Sequence, residues 1–456
     1  MMESRAYKNR NVAVLGLGKS GLATARKLAE GNARVLVWDD QEAGRKAAET
    51  SGLQVVSYSS DAWANVDTII LSPGIPLTHP KPHPVVEHAN ANRKQVIGDI
   101  EVFLKEKTSG KIVGITGTNG KSTTTALIHH ILKSAGKEAA LGGNIGTPVM
   151  ELPQLSEQGI YVLELSSYQL DLTPSWHADV AILLNITPDH LDRHGDLEGY
   201  IAVKKRIFNE QVKGDTAILN LDDPVCQQIA KEVINDNRLV GISTKQRLDD
   251  GVSVLQGLLQ VRDAGKLLLE FDLREHAALR GEHNWQNTAA AVAACLVCGM
   301  QADEVERGVL SFGGLAHRME PVKTIGTISF VNDSKATNAE AAAKSLSSYE
   351  NIYWICGGVA KAGGIEELSP YFGRVAHAFL IGECACEFSK TLEGKVPYTD
   401  CGTLPEAVKL ANKMAGTCAS QAVVLLAPAA ASFDQFKSFE ARGNQFKEIV
   451  LNGGLS

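Results

Sequence analysis

The chain has 456 residues, enough for about three domains at roughly 150 each, and 44% are hydrophobic, enough to build a core in every one. A net charge of −7 and a pI near 6.0 argue against a general nucleic-acid binder or a membrane-surface protein, so any phosphate site must be local. No apolar run approaches the roughly 18 residues of a membrane span, and MMESRAYKNR has no apolar stretch after its charges, so a cytoplasmic location is expected.

In chain order, an apolar strand from Asn11 to Gly16 leads into Gly16-Leu17-Gly18-Lys19-Ser20-Gly21, and a second, Arg34 to Trp38, ends in Asp39-Asp40. An acid about 20 residues beyond such a turn commonly takes a ribose hydroxyl, so the opening reads as Rossmann-like, with a dinucleotide as its simplest ligand. A third strand, Val66 to Leu71, breaks at Ser72-Pro73-Gly74-Ile75-Pro76, placing small residues and N–H groups at the carboxyl edge of the sheet. The irregular loop after it holds His79, Pro80, Pro82, His83 and Pro84, and its histidines read as surface residues. The segment around Asp99 to Gly110 then joins this domain to the next.

Gly114 to Thr123, GITGTNGKST, is the most informative stretch. It lies between an apolar strand and a segment, Thr124 to Lys133, whose Leu127, Ile131 and Leu132 recur at helical spacing. In such a turn backbone N–H groups close on an anion, the helix N-terminus adds partial positive charge, and a lysine, here Lys121, reaches the outer phosphates. Ser122 or Thr123 supplies the magnesium-side hydroxyl. Five residues separate Gly114 from Gly120, and two separate Gly117 from Gly120, where the strict phosphate-loop pattern wants four.

Strand-like runs recur at Tyr161 to Leu165, Val180 to Ile186 and Thr216 to Leu221 between helical patterns, which predicts a mostly parallel sheet. Glu164 enters an apolar strand in VLELSSYQLD, a costly place for an acid unless it is paired with a buried lysine or binds a cation. His190, in NITPDHLDRH, is either a functional residue or a turn cap. At about 100° per residue, Tyr200, Ile201, Val203, Ile207 and Phe208 cover one helical arc with Lys204 near its centre, so this lysine is expected to face inward while Arg206 points away. Burial depresses a lysine's pKa and leaves a nucleophilic amine; the alternative is a snorkelling side chain.

Cys295 and Cys298 have zinc-like spacing but lie in an apolar helical stretch with no second pair, and Cys384 and Cys386 are equally isolated. All eight cysteines therefore read as reduced thiols, not as zinc ligands. Phe312-Gly313-Gly314 marks a hinge, and a third domain begins near Leu315 with strands at Ile328 to Val331, Ile352 to Cys356, Ala378 to Ile381 and Ala422 to Leu426. The expected fold is α/β throughout, in three domains: residues 1–98, Rossmann-like; 99–314, a phosphate-loop parallel sheet; and 315–456, again Rossmann-like.

Taken together, GITGTNGKST, LELSSYQLD, NITPDHLDRHG, the Lys204 helix, GEHNWQN, AHRME, NDSKATN and LLAPAAASFDQF resemble the Mur ligase family across nearly the whole chain. GTNGKS is that family's usual phosphate loop. SPGIP, NDSKATN and SFDQFKSFEARG are most similar to the branch that adds D-glutamate to UDP-N-acetylmuramoyl-L-alanine, a step of peptidoglycan precursor synthesis on which cell shape and division depend.

The resemblance implies an ATP-dependent ligase, a monomer, working through an acyl phosphate with two magnesium ions and no nicotinamide. It implies that the uridine nucleotide sugar is held by Gly18, Lys19, Ser20, Asp39, Ser72, Pro73 and Gly74, with Asn144 on the muramoyl group. ATP falls to Gly117, Thr118, Asn119, Gly120, Lys121, Ser122 and Thr123, with Asn287, Arg318 and Asp333. Ser122, Glu164, His190 and a carbamylated Lys204 become the metal side, with Lys121, His190 and Lys204 catalytic. Thr337, Lys361, Ser432 and Phe439 surround D-glutamate. One departure stands out: many relatives carry an acid two residues before the lysine matching Lys361, and here that position is Val359. A sister Mur ligase or a folylpolyglutamate-type enzyme is the nearest alternative. From other classes, a dehydrogenase would turn over NAD(P)H, and a plain ATPase would hydrolyse ATP without an acceptor amine.

Overall fold

The computed structural model describes residues 5–233, 238–361, 363–418 and 420–453. They form two compact units: one runs through Arg274 and takes in Glu282–Ser311, and the other comprises Glu275–Gly281 and the chain from Phe312 on. Among the described residues no helix is long and apolar enough to cross a membrane.

Two sheets build the first unit. The first is wholly parallel, in the order β3-β2-β1-β4-β5, from β1 (Asn11–Leu15), β2 (Arg34–Trp38), β3 (Gln54–Val55), β4 (Thr68–Leu71) and β5 (Gln95–Ile97). Val12 to Leu15 and Thr68 to Leu71 are buried without alternation, as strands covered on both faces require. The strand order reverses between β1 and β4, so the turns after these two strands flank the crevice where doubly wound sheets bind ligands.

Nine strands make the second sheet, in the order β14-β13-β12-β11-β10-β9-β6-β8-β7. They are β6 (Lys111–Thr116), β7 (Ala139–Gly143), β8 (Ile160–Glu164), β9 (Val180–Leu183), β10 (Thr216–Asn220), β11 (Arg238–Ser243), β12 (Gly251–Leu255), β13 (Leu258–Asp263) and β14 (Lys266–Asp272). From β7 to β12 the pairing is parallel, as expected; β13 and β14 extend the sheet as an antiparallel meander outside the expected parallel pattern. The run expected to be strand to Ile186 ends at Leu183, because Asn185 turns to bond the phosphate loop. β6 sits between β8 and β9, which places its carboxyl end at the second topological switch point.

The second unit carries a six-stranded sheet, β15-β16-β20-β17-β18-β19, built from β15 (Glu320–Ile325), β16 (Ile328–Asn332), β17 (Ile352–Gly357), β18 (Val375–Ile381), β19 (Tyr398–Gly402) and β20 (Ala422–Leu426). Only β15 is antiparallel. All eight cysteines are free, and no group of three or more His, Cys, Asp or Glu residues could hold a metal among the described residues.

Candidate active site

Gly114 lies within β6, where a Cβ would meet Trp176 Cζ2 at 2.4 Å, so this glycine serves packing. The anion turn is Gly117 to Gly120, with φ of +150° and +88° at its two glycines, conformations that a side chain would strain. The helix Lys121–Ser134 starts directly behind it. Asn185 fixes the turn from the end of β9: its carbonyl accepts from Thr118 N (2.9 Å), its Oδ1 accepts from Asn119 N (2.8 Å), and its Nδ2 donates to Asn119 O (3.1 Å). Asn287 closes the other side, its Oδ1 lying 2.1 Å from where a Gly120 Cβ would sit. Lys121 Nζ donates to Gly117 O and Thr118 O, 2.8 Å each, and Ser122 is buried behind it while Thr123 is partly exposed.

Glu164, at the carboxyl end of β8, is 1% exposed. Its Oε1 accepts from Asn144 Nδ2 at 2.7 Å, while its Oε2 is buried with no hydrogen-bond partner. It forms no salt bridge within 4 Å among the described residues, although it acts electrostatically on the buried Lys204. An orphaned buried carboxylate oxygen is costly unless a cation completes it. Ser122 and Glu164 fit a hard divalent ion such as magnesium, which is commonly bound through one or two carboxylates plus substrate phosphates.

Lys204 does face inward, at 1% exposure, from the helix Leu197–Lys205. Its Nζ donates to Gly117 O (2.8 Å) and Thr116 Oγ1 (3.3 Å), and stands 4.9 Å from the centre of the Tyr200 ring. Burial, and then the nearby Lys121 ammonium, hold its pKa well below the ordinary lysine value. Tyr200 shares a hydrogen bond with Thr118 Oγ1 at 3.1 Å, and burial pushes its hydroxyl up to about 12. His190 occupies the N-cap of the helix Leu191–His194 in a left-handed conformation, makes no cap bond with its side chain, and lies 3.4 Å from Asp189 Oδ2 and 5.0 Å from the Tyr168 ring.

At the switch point of the first sheet, Ser72 Oγ donates to Gly16 O at 2.8 Å and so ties the two turns together. Asp39 braces the glycine turn by accepting from Leu17 N (2.5 Å) at Oδ2, while its Oδ1 accepts from Gln41 N (2.7 Å) of its own turn. Lys19 Nζ donates to Gly146 O at 3.1 Å; Gly18 caps the helix Lys19–Glu30 and Ser20 lies in its first turn. His83 departs from a plain surface residue: its Nδ1 accepts from Val85 N (3.2 Å) and caps the helix Pro84–Ala91.

In the second unit, Asp333 follows β16, its Oδ1 accepting from Met319 N at 3.1 Å and its Oδ2 from Ser345 Oγ. Burial raises its pKa to about 6. Arg318 lies in the loop before β15, between His317 and Met319, both with positive φ. The turn after β17 is held by paired backbone bonds between Val359 and Ala431, which set Lys361, exposed, and Ser432, buried, on neighbouring segments. Arg442 is fully buried, donating to Ser334 Oγ (3.0 Å), Ser334 O (3.0 Å) and Ala430 O (3.2 Å). Ser334 Oγ in turn donates to Phe439 O at 2.8 Å, and Thr337 N bonds Lys335 O.

Residues 10–98 match the Mur ligase MurD-like N-terminal domain, and residues 115–295 match the Mur ligase middle domain. A UDP-N-acetylmuramoylalanine--D-glutamate ligase of Caulobacter sp. (strain K31) is 50% identical over 99% of this chain and 98% of its own length. The chain belongs to the Mur ligase family. A relative of the same description from Brucella abortus (strain 2308) is 47% identical over 99% of this chain and 97% of its own. This Mur ligase shares its three-domain fold with the UDP-N-acetylmuramate-alanine ligase of Thermotoga maritima, at a TM-score of 0.59 and 19% identity, covering 97% of this chain and 99% of that one. Two residues that hold the phosphate turn, Asn185 and Tyr200, carry no assigned role in the sequence analysis. Tyr200 counted there only as one apolar member of the Lys204 arc.

Proposed function

We propose that the protein joins D-glutamate to UDP-N-acetylmuramoyl-L-alanine, the ligation its relatives are named for, and that it cleaves ATP to ADP and phosphate in doing so. The observation that best supports this is the grouping of Lys121 and the buried Lys204 at one phosphate turn, beside the carboxyl end of the neighbouring strand that carries Glu164. Gly117 to Thr123 would hold the ATP phosphates through backbone N–H groups and the Lys121 ammonium, with Asn287, Arg318 and Asp333 on the rest of the nucleotide. Gly18, Lys19, Ser20, Asp39, Ser72, Pro73, Gly74 and Asn144 would hold the sugar nucleotide. Thr337, Lys361, Ser432 and Phe439 would hold D-glutamate.

The terminal alanine carboxylate attacks the γ-phosphorus, the bond from that phosphorus to the β,γ-bridging oxygen breaks, and ADP leaves. Lys121 offsets the charge that spreads over the transferring phosphoryl group. The amine of D-glutamate then attacks the acyl phosphate carbon, and the tetrahedral adduct collapses to amide and phosphate. Magnesium, two ions in this reading, supplies charge neutralisation and orientation of the phosphates when bound by Ser122, Glu164, His190 and Lys204. The Lys204 amine, its pKa lowered by burial, adds to CO2 with loss of one proton and becomes a carbamate, an anion in place of an ammonium. We place the domain bounds at 1–98, 99–314 and 315–456, and the enzyme in the cytoplasm as a monomer serving peptidoglycan synthesis and, through it, cell shape and division.

Phosphate release in the presence of the UDP-sugar monopeptide, across a panel of L- and D-amino acids, tests the assignment. Release that depends on D-glutamate is expected. Release that depends on a different amino acid, or on none, overturns it.

A further inference from the structure

Arg193 occupies a position that the reaction as described does not use. Its Nη1 donates to Gly74 O at 2.9 Å and its Nη2 to Pro73 O at 3.4 Å, so one guanidinium takes both carbonyls of the turn after β4. Pro73 has no N–H, Ser72 N already donates to Leu15 O, and Ile75 N to Ser72 O. Gly74, exposed, keeps an N–H that donates to no described residue. With its carbonyls bound by a cation, the turn presents a donor and positive charge, which suits an anionic group such as a diphosphate.

The other side of Arg193 leads toward ATP. Its guanidinium lies 4.5 Å over the Tyr168 ring. Tyr168 follows Glu164 by one turn of chain, stacks on His194 with centroids 5.5 Å apart, and meets His190 at 5.0 Å. His194 Nε2 bonds Ser167 Oγ (2.9 Å) and its ring lies 5.5 Å from Tyr200. Tyr200 then reaches Thr118 of the phosphate turn by its hydroxyl. A cation and three neighbouring rings, Tyr168 and His194 stacked and Tyr200 tilted against His194, thus run from the edge of the first sheet to the loop after β6.

We propose that Arg193 is a positioning residue that sets the Ser72–Gly74 turn for the sugar nucleotide and, through Tyr168, couples its binding to that of ATP. This rests on reading the two turns as the sites of those two substrates. A lysine could make one point contact but could not bridge both carbonyls while lying flat on the ring.

The experiment uses the full-length enzyme with Arg193→Gln, Arg193→Lys and Tyr168→Leu. Steady-state constants are measured for each substrate, and calorimetric titrations of UDP-N-acetylmuramoyl-L-alanine are run with and without magnesium and a nonhydrolysable ATP analogue. In the wild type the analogue should tighten sugar-nucleotide binding by about fivefold or more, the usual scale of coupling between sites. Arg193→Gln should raise the KM for the sugar nucleotide roughly tenfold with kcat and the D-glutamate KM within about threefold, and should abolish the tightening. Arg193→Lys should fall between the two, and Tyr168→Leu should lose the tightening with a smaller KM change. An uncoupled wild type, an Arg193→Gln enzyme with unchanged constants, or equal rises in all three KM values would overturn the proposal. Failure of the function reading is separate: it would show as a wild type that releases no phosphate in response to D-glutamate.

Discussion

Replacing Lys204 with methionine keeps an unbranched apolar stem of similar length and deletes the amine. Neither partner is orphaned, because Gly117 O still accepts from Lys121 Nζ and the Thr116 hydroxyl still donates to Leu165 O, both at 2.8 Å. The lost hydrogen bonds therefore cost about 1 kcal/mol each at most. Against that stands an amine whose pKa is held well below normal, first by burial and then by Lys121. Between that folded value and the unfolded value of about 10.4, the unfolded chain carries the extra proton, so wild-type stability rises with pH by up to about 1.4 kcal/mol per unit. Methionine has no such dependence. At pH 7 Lys204→Met should be at least as stable as the wild type, and its advantage should shrink steadily towards pH 10. Urea denaturation at several pH values, in CO2-free buffer without magnesium, measures the difference. A gap that stays constant with pH, or widens as pH rises, would refute the argument.

Lys121→Ala should leave the fold intact and lower kcat by a factor of about 100 to 1,000, the usual scale for losing one charge-stabilising donor; near-normal phosphate release would refute its role. Glu164→Gln retains an acceptor for Asn144 Nδ2 but removes the charge left with an orphaned oxygen. It should melt no lower than the wild type while losing its response to magnesium, a pairing checked by calorimetry and by magnesium titration of activity. Lys361→Ala should raise the KM for D-glutamate strongly and leave that for ATP nearly unchanged, whereas Val359→Asp should change either by less than about fivefold, an exposed ion pair being worth about 0 to 1 kcal/mol; equal damage to both constants in Lys361→Ala would place that lysine in domain support instead.

The strands legible in the sequence were those buried on both faces, such as Val180–Leu183 and Ile352–Gly357, which print as apolar runs. The β12–β14 meander carries a weaker, turn-based signal. Gln256-Gly257 and Ala264-Gly265 each join alternating runs and each adopt positive φ at both residues, the hairpin geometry that such pairs permit. Lys204 could be placed because a helix has a period and its inward face can be counted. Asn144 on Glu164, Asn185 on the phosphate turn and Arg193 on Gly74 could not, since each is a polar residue meeting a partner 20 to 119 positions away. Loop polar residues carry no periodicity, and only the folded chain shows which of them meet.

β14 ends the nine-stranded sheet, and its outer side is an unpaired row of peptide groups, with Leu267 and Leu268 41% and 50% exposed. An exposed edge strand with apolar side chains is a template onto which another chain could add a strand. Lys266, Glu270 and Asp272 on the same strand put charges along that rim, so a second copy laid alongside would have to desolvate them. Exchanging the three for threonine would leave the catalytic apparatus untouched and is expected to shorten the time the protein stays dispersed at high concentration, which light scattering would follow directly.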